Sequence, residues 1–275
     1  MKTGLLITTS ISALCVVLIF LFLFFSSLPI LKEFQINDFI FGESWHPSEN
    51  EFYILPMIVG SLYIMTLAML ISVPLGILTA IHNQFYSPKW FNSSFSRIVE
   101  ILSGIPSVIY GFWGLVVIVP LLAQFQAPGT SLLAGAIVLT FIITPTIVLV
   151  ANNAFKEVNP LYIQNAIALG LSRTNIIKNI ILPQAKNNLI TGIVLQSGRA
   201  IGETLAVLMV CGNVVQIPGN LFEPVRTLTS NIALEMAYAM DTHRSALFLS
   251  GMVLMVIVLL LIILTEHFSP LKTKS

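Results

Sequence analysis

The feature that most constrains this chain is an uncharged apolar run from Leu5 to Leu28. A helix rises ~1.5 Å per residue, so a run of this length crosses the ~30 Å hydrocarbon layer. A secretory signal carries an apolar stretch of only ~7–15 residues, about half as long. The run is therefore expected to be a retained first span. Comparable stretches lie near 55–81, 98–122, 130–153, 188–212 and 245–265, making six in all. The third is marginal, because Gly104, Pro106, Gly111 and Gly114 interrupt it. Short alternating segments of about ten residues, the mark of an outer-membrane barrel, are not evident.

Charge confirms what run length implies. Asp, Glu, Lys and Arg make up 9% of the chain, against about 25% in an ordinary soluble domain, which needs such residues to cover its surface. A net charge of +1 provides no bulk field for nucleic acid, and no nucleic-acid partner is expected. Cys15 and Cys211 sit in apolar surroundings and are expected to be small buried hydrophobes, since two cysteines cannot make a disulfide framework or a zinc site. His46, His82, His243 and His267 form no sequence cluster and are expected on surfaces or in the core. No metal site, bound cofactor or catalytic residue is expected. A membrane-embedded enzyme would need a nucleophile or metal cluster that the sequence does not supply.

Basic residues orient the spans, because Lys and Arg collect in cytoplasmic loops. The N-terminus, 82–97, 154–187 and the C-terminus carry Lys2, Lys89, Arg97, Lys156, Arg173, Lys178, Lys186, Lys272 and Lys274. The opposite set, 29–54, 123–129 and 213–244, carries only Lys32, Arg226 and Arg244. This asymmetry places both termini in the cytoplasm. Glu33, Asp38, Glu43, Glu49 and Glu51 crowd the first outer loop, in agreement. Within the outer segment 213–244, residues Asn231 to Met240 are expected to form a short helix or re-entrant piece. One membrane domain accounts for the whole chain.

Three ionisable residues fall inside spans: Glu100, Arg199 and Glu203. A charge in hydrocarbon costs between ~2.5 and ~17 kcal/mol, so such residues face a bundle interior or a wet path. Arg199 and Glu203 are four apart and would share one helix face, where they can pair. Two readings stay open at this point. They form a structural ion pair, or Arg199 meets a passing anion with its planar fork of donors. Glu100 lies near the cytoplasmic end of its span, where reaching to the interface is an alternative to lining a path. The Gly104–Ser107 turn breaks span three and frees backbone groups that need a polar setting; close helix packing by its glycines is the other reading. Ser107 is the side chain there that is able to meet a substrate.

The inner segment Pro160–Ser172 is the second informative stretch. Pro160 suits the first position of a short helix, and Gly170 suits the left-handed residue that closes it. Ser172 then caps a following helix in which Ile176, Ile177, Ile180 and Ile181 recur, with Pro183 expected to end it. Any amphipathic inner loop could be built this way.

The run Gln164-Asn165-Ala166-Ile167-Ala168-Leu169-Gly170, followed by Pro183, resembles the coupling loop of bacterial ABC importer permeases. That pattern reads Glu-Ala-Ala, three residues, Gly, then an Ile-rich helix and Pro. Here Gln164 stands in place of Glu, and Asn165 in place of the first Ala. Gly198-Arg-Ala-Ile-Gly-Glu-Thr-Leu-Ala-Val207 and Ser103-Gly-Ile-Pro-Ser-Val-Ile-Tyr-Gly-Phe-Trp-Gly114 are similar to signatures of phosphate-specific transport permeases. Trp45-His-Pro47 with Tyr53-Ile-Leu-Pro56 resembles the PstC-type subunit more than its PstA-type partner.

The resemblance implies an all-α, six-helix type I importer permease with a cytoplasmic coupling helix, in the bacterial inner membrane. It implies a second, PstA-type permease, two PstB-type ATPase subunits that use ATP, and a PstS-type binding protein outside. The coupling set would be Gln164, Ala166, Leu169, Gly170, Leu171, Arg173 and Pro183. The substrate path would hold Arg199, Glu203, Glu100 and Ser107. No Gly-x-x-x-x-Gly-Lys-Ser/Thr loop occurs, so this chain supplies no ATPase site. Molybdate or sulfate are the alternative cargoes.

Overall fold

Apolar periodicity turns into helix along nearly the whole chain. The computed structural model describes residues 2–33, 35–42 and 44–268. Glu43, Lys272 and Lys274 lie outside the described residues, as do the side chains of Lys2, Lys89 and His267.

Helix α1 (Lys2–Glu33) is followed by the short α2 (Ile36–Phe41) and a two-residue hairpin, β1 (Trp45–His46) with β2 (Glu51–Phe52). Next come α3 (Leu55–Ile81), α4 (Lys89–Ser103), α5 (Ser107–Trp113), α6 (Val119–Ala123) and α7 (Leu132–Lys156). Then α8 (Pro160–Ala168), α9 (Arg173–Ile176), α10 (Leu182–Ile201), α11 (Leu205–Val210), α12 (Leu228–Glu235) and α13 (Asp241–Phe268) complete the order. Single π turns extend α3 at its end and join α5 to α6 and α9 to α10.

Helices α3 and α7 form the centre. Gly76 on α3 faces Ile147, and Gly135 on α7 faces Cys211 and Ile64, so small residues let the backbones close up. Ile64, Leu139, Ile143 and Val210 are buried around these contacts. Helices α1 and α13 pair at the flank, with Phe22 and Phe248 edge to face at 5.4 Å. Cys211 is buried, but Cys15 is exposed on α1: that helix has a partner along only part of its girth.

The all-α fold class holds, but six uninterrupted spans do not. By length and composition four helices among the described residues suffice to cross a bilayer, and α4 with α5–α6 makes a fifth that bends by 86° at residues 104–106. The expected span 188–212 is divided into α10 and α11. Helix α10 alone is too polar to pass, carrying Gln184, Lys186, Asn187, Asn188, Gln196 and Arg199. Pro183 does not end the preceding stretch. It sits where α10 begins, and the π turn 177–181 before it carries the helix on from α9. A π turn widens the backbone just where a proline ring would otherwise press on the preceding turn.

Described segments of the same loop set meet one another. At the inner end Arg173 donates to the Phe85 carbonyl at 2.9 Å and lies over the Tyr86 ring, while Glu157 accepts from Asn188. At the outer end residues 213–227 fold back over the start of α7, where Leu132 N and Leu133 N donate to the carbonyls of Glu223 and Leu221. Helix α12 begins three residues before the expected piece and stops at Glu235.

Candidate substrate path and coupling surface

Two helix breaks define the candidate path, and the half-helices that follow them pack together. A Cβ on Gly111 would lie 2.6 Å from Ala206 Cα, and one on Gly114 would lie 3.1 Å from Val210 Cγ1. Both contacts advance in the same chain direction, so α5 and α11 run parallel. Each of these helices begins directly after a break, α5 after Gly104–Pro106 and α11 after Gly202–Thr204. Gly111 and Gly114 therefore act first as packing residues, and the packing joins the half-helices that start at two interruptions of the backbone.

At the first break Glu100 is exposed, and its carbonyl accepts from Gly104 N and Ser103 Oγ, closing α4. Pro106 begins α5, and Ser107 is half-buried at its first position with no hydrogen bond from its hydroxyl among the described residues. At the second break α10 ends at Ile201 and Gly202 caps it.

Arg199 and Glu203 do not share a helix face, because the helix stops between them. Glu203 Oε1 instead accepts from Thr204 N at 3.2 Å and Ala206 N at 3.4 Å. The carboxylate thus satisfies the donors that the break leaves free at the start of α11. Arg199 lies exposed in the last turn of α10 and has no hydrogen bond or ion pair among the described residues. A cation near a helix C-terminus is favoured by the dipole, yet no side chain of the described residues neutralises it. Of the two readings open from sequence, the intrachain ion pair is the one this geometry removes.

The coupling segment forms a projecting knob. Asn159 caps α8 through Leu161 N, and Pro160 takes its first position. Gly170 has φ +75, with Gly170 N bonded to the Ile167 carbonyl and Leu171 N to the Ala166 carbonyl, which closes the helix as expected. Ser172 caps α9 by accepting from Asn175 N. Ala166 is buried against the inner cluster, whereas Gln164, Leu169 and Leu171 are exposed, Leu169 by 80%. Leu161, Ile167, Leu169 and Leu171 leave apolar surface on this knob that no element of the described residues covers. Arg173, by contrast, is spent within the chain on Phe85 and Tyr86.

A buried polar cluster at the outer end was not legible from sequence. The Glu235 carboxylate receives Arg226 Nη1 at 2.7 Å on Oε1, and Trp45 Nε1 and His243 Nε2 at 2.8 Å on Oε2. Arg226 also donates to the Asn213 carbonyl and Asn231 Oδ1. His243 stacks on Phe52, so it is a core histidine within an ion network and not a rim residue. The four side chains come from four separate segments, and no local spacing signals their meeting.

Residues 72–274 match the family described as binding-protein-dependent transport system inner membrane component. The chain is 38% identical over 250 residues to the probable ABC transporter permease protein YqgH of Bacillus subtilis, covering 87% of this chain and 81% of that one. It is 31% identical to the phosphate transport system permease protein PstC of Haemophilus influenzae, covering 94% and 90%. To the probable PstC of Methanocaldococcus jannaschii it is 32% identical, covering 92% and 87%. Among solved structures, a bacterial ABC transporter involved in alginate import superposes with TM-score 0.65 at 16% identity, covering 99% and 97% of the two chains. The MetNI methionine ABC transporter superposes at 0.60 and 19% identity, covering 79% and 93%. At such identities these structures establish the fold alone, that of an all-α transporter permease.

Proposed function

Because this chain belongs to the binding-protein-dependent transport system inner membrane components, we propose that it is the subunit through which an ATP-driven importer passes inorganic phosphate into the cytoplasm. The observation that carries this reading is Arg199, a cation uncompensated among the described residues, in a broken span whose second half packs on the half-helix of another broken span. A guanidinium offers two parallel donors to a tetrahedral oxyanion. Helix interruptions are tolerated in a membrane where the freed backbone lines a cavity. The names of the PstC relatives and the Gly198–Val207 run favour phosphate over molybdate or sulfate.

In this reading Arg199 offsets the charge of phosphate as it passes. Glu203, held on the start of α11, supplies the opposing charge that keeps the anion from being trapped. Glu100 and Ser107 line the facing break. The chain is a transport subunit that binds no cofactor of its own and works with a PstA-type permease, two PstB-type ATPases and a PstS-type binding protein in the bacterial inner membrane, with both termini inside. ATP-driven closure of the ATPases acts on α8 through Gln164, Ala166, Leu169, Gly170 and Leu171. The joint of α9 and α10 near Arg173 and Pro183 passes that push towards Arg199.

The test is phosphate uptake by the reconstituted complex in liposomes, with molybdate and sulfate as competitors. Arg199→Ala is expected to abolish uptake while the complex still assembles. Normal uptake by that variant would overturn the anion role, and preferential competition by molybdate or sulfate would reassign the cargo.

A further inference from the structure

We infer that Thr229 is a positioning residue for transport: its hydroxyl holds the backbone of Glu203, and through α12 it ties the path to the outer face. The inference rests on the reading of Glu203 as a path residue.

Thr229 Oγ donates to the Glu203 carbonyl at 2.9 Å. That carbonyl lies in the break between α10 and α11, where no following helical N–H is bonded to it. Thr229 is 7% exposed, so water does not readily replace the bond. A carbonyl only accepts, so the single Thr229 proton is committed to it. Thr227 Oγ lies 3.1 Å from Thr229 Oγ and donates its own proton to Ser230 Oγ at 2.8 Å. Thr227 also accepts from Ser230 N, which fixes the first turn of α12. Residues 213–227 thereby lead into a braced turn from which the Thr229 hydroxyl reaches the break.

The same turn is anchored against α3. Leu228 N donates to Ser61 Oγ at 3.0 Å, and a Cβ on Gly60 would meet the Arg226 carbonyl at 2.9 Å. Ser61 lies six residues into α3, about 9 Å below its outer end. Thr229 therefore reaches Glu203 from within the bundle. At its other end, α12 carries Glu235, gripped by Arg226, Trp45 and His243. Eight helical residues, a rise of about 12 Å, thus join the outer hairpin to the backbone that carries the Glu203 carboxylate. Because that carboxylate also caps α11, a shift of the carbonyl moves the acid and the half-helix together.

Thr229→Val keeps the shape and removes the donor, whereas Thr229→Ser keeps the donor. In the reconstituted complex, Thr229→Val is expected to lower phosphate transported per ATP hydrolysed by about tenfold, the scale of one buried hydrogen bond. Basal ATP hydrolysis without binding protein should stay unchanged, and Thr229→Ser should restore coupling to within about twofold. A purely structural role would lower assembly and hydrolysis together and leave the ratio intact. An unchanged ratio in Thr229→Val overturns the inference. Should that variant fail to assemble, Thr229→Cys, with its weak thiol donor, takes its place, and equality with Thr229→Ser overturns the inference. Arg199→Ala serves as the control that separates the two readings. Loss of uptake there with normal Thr229→Val coupling sinks only the Thr229 role, while retained uptake there sinks the path assignment itself.

Discussion

Arg226 Nη1 lies 2.7 Å from Glu235 Oε1, and the carboxylate that receives it is 7% exposed. The two residues join the returning outer loop to the far end of α12. Both Glu235 oxygens are occupied, since Trp45 and His243 share the second one. Removing one member of a buried pair strands the other charge, which costs about 3–5 kcal/mol. Glu235→Leu is therefore expected to lower the midpoint of thermal unfolding of the purified complex markedly. An unchanged midpoint would show that the pair contributes nothing to holding the outer segment.

Trp45 ties the first outer hairpin to Glu235. Trp45→Phe keeps the ring against Phe52 and loses the donor to the carboxylate, a bond worth about 1.5–3 kcal/mol when the acceptor is charged. Limited proteolysis within residues 44–53 should accelerate in that variant. In the parent protein, Trp45 at 5% exposure should resist aqueous quenchers that reach Trp90, at 73%. Equal quenching of the two would contradict the buried placement.

Gly170 separates strain from space. Its φ of +75 penalises any side chain, yet a Cβ there would meet nothing within 4 Å. Gly170→Val should thus cost about 1–2 kcal/mol locally, leave assembly intact and shift the end of α8. ATP hydrolysis should then run with reduced phosphate uptake. Full coupling in this variant would count against docking of the knob on the ATPase.

Gly111 and Gly104 make a contrasting pair in the same span. A Cβ on Gly111 falls 2.6 Å from Ala206 Cα, a backbone atom that does not yield, whereas one on Gly104 finds nothing nearer than 3.5 Å. Gly111→Ala should destabilise by about 1–3 kcal/mol through overpacking and disturb the packing of α5 on α11. Gly104→Ala should be nearly silent. Uptake and thermal stability of the two variants, measured side by side, check this; equal effects would refute the parallel packing of α5 and α11.

Local signals predicted the local features well. Pro160, Gly170 and Ser172 mark the limits of α8 and the start of α9 because capping depends on one residue and its immediate neighbours. The Gly104–Pro106 interruption was legible for the same reason. Pro183 misled, since a π turn absorbs a proline that would otherwise stop a helix. Arg199 and Glu203 misled more usefully: a spacing of four implies one face only where the helix continues, and capping of α11 by the carboxylate decides that it does not.

What the sequence determined by itself was the environment of this protein and the places where chemistry departs from it. Bilayer thickness converts run length directly into spans, and the cost of charge in hydrocarbon makes Arg199 conspicuous without any fold. Tertiary packing alone set which half-helices meet, left Arg199 without a partner among the described residues, and brought Trp45, Arg226, Glu235 and His243 together. Those outcomes depend on contacts between segments up to nearly two hundred residues apart, fixed by small residues where helices close and by buried donors seeking acceptors. Nothing in the spacing along the chain encodes such distances.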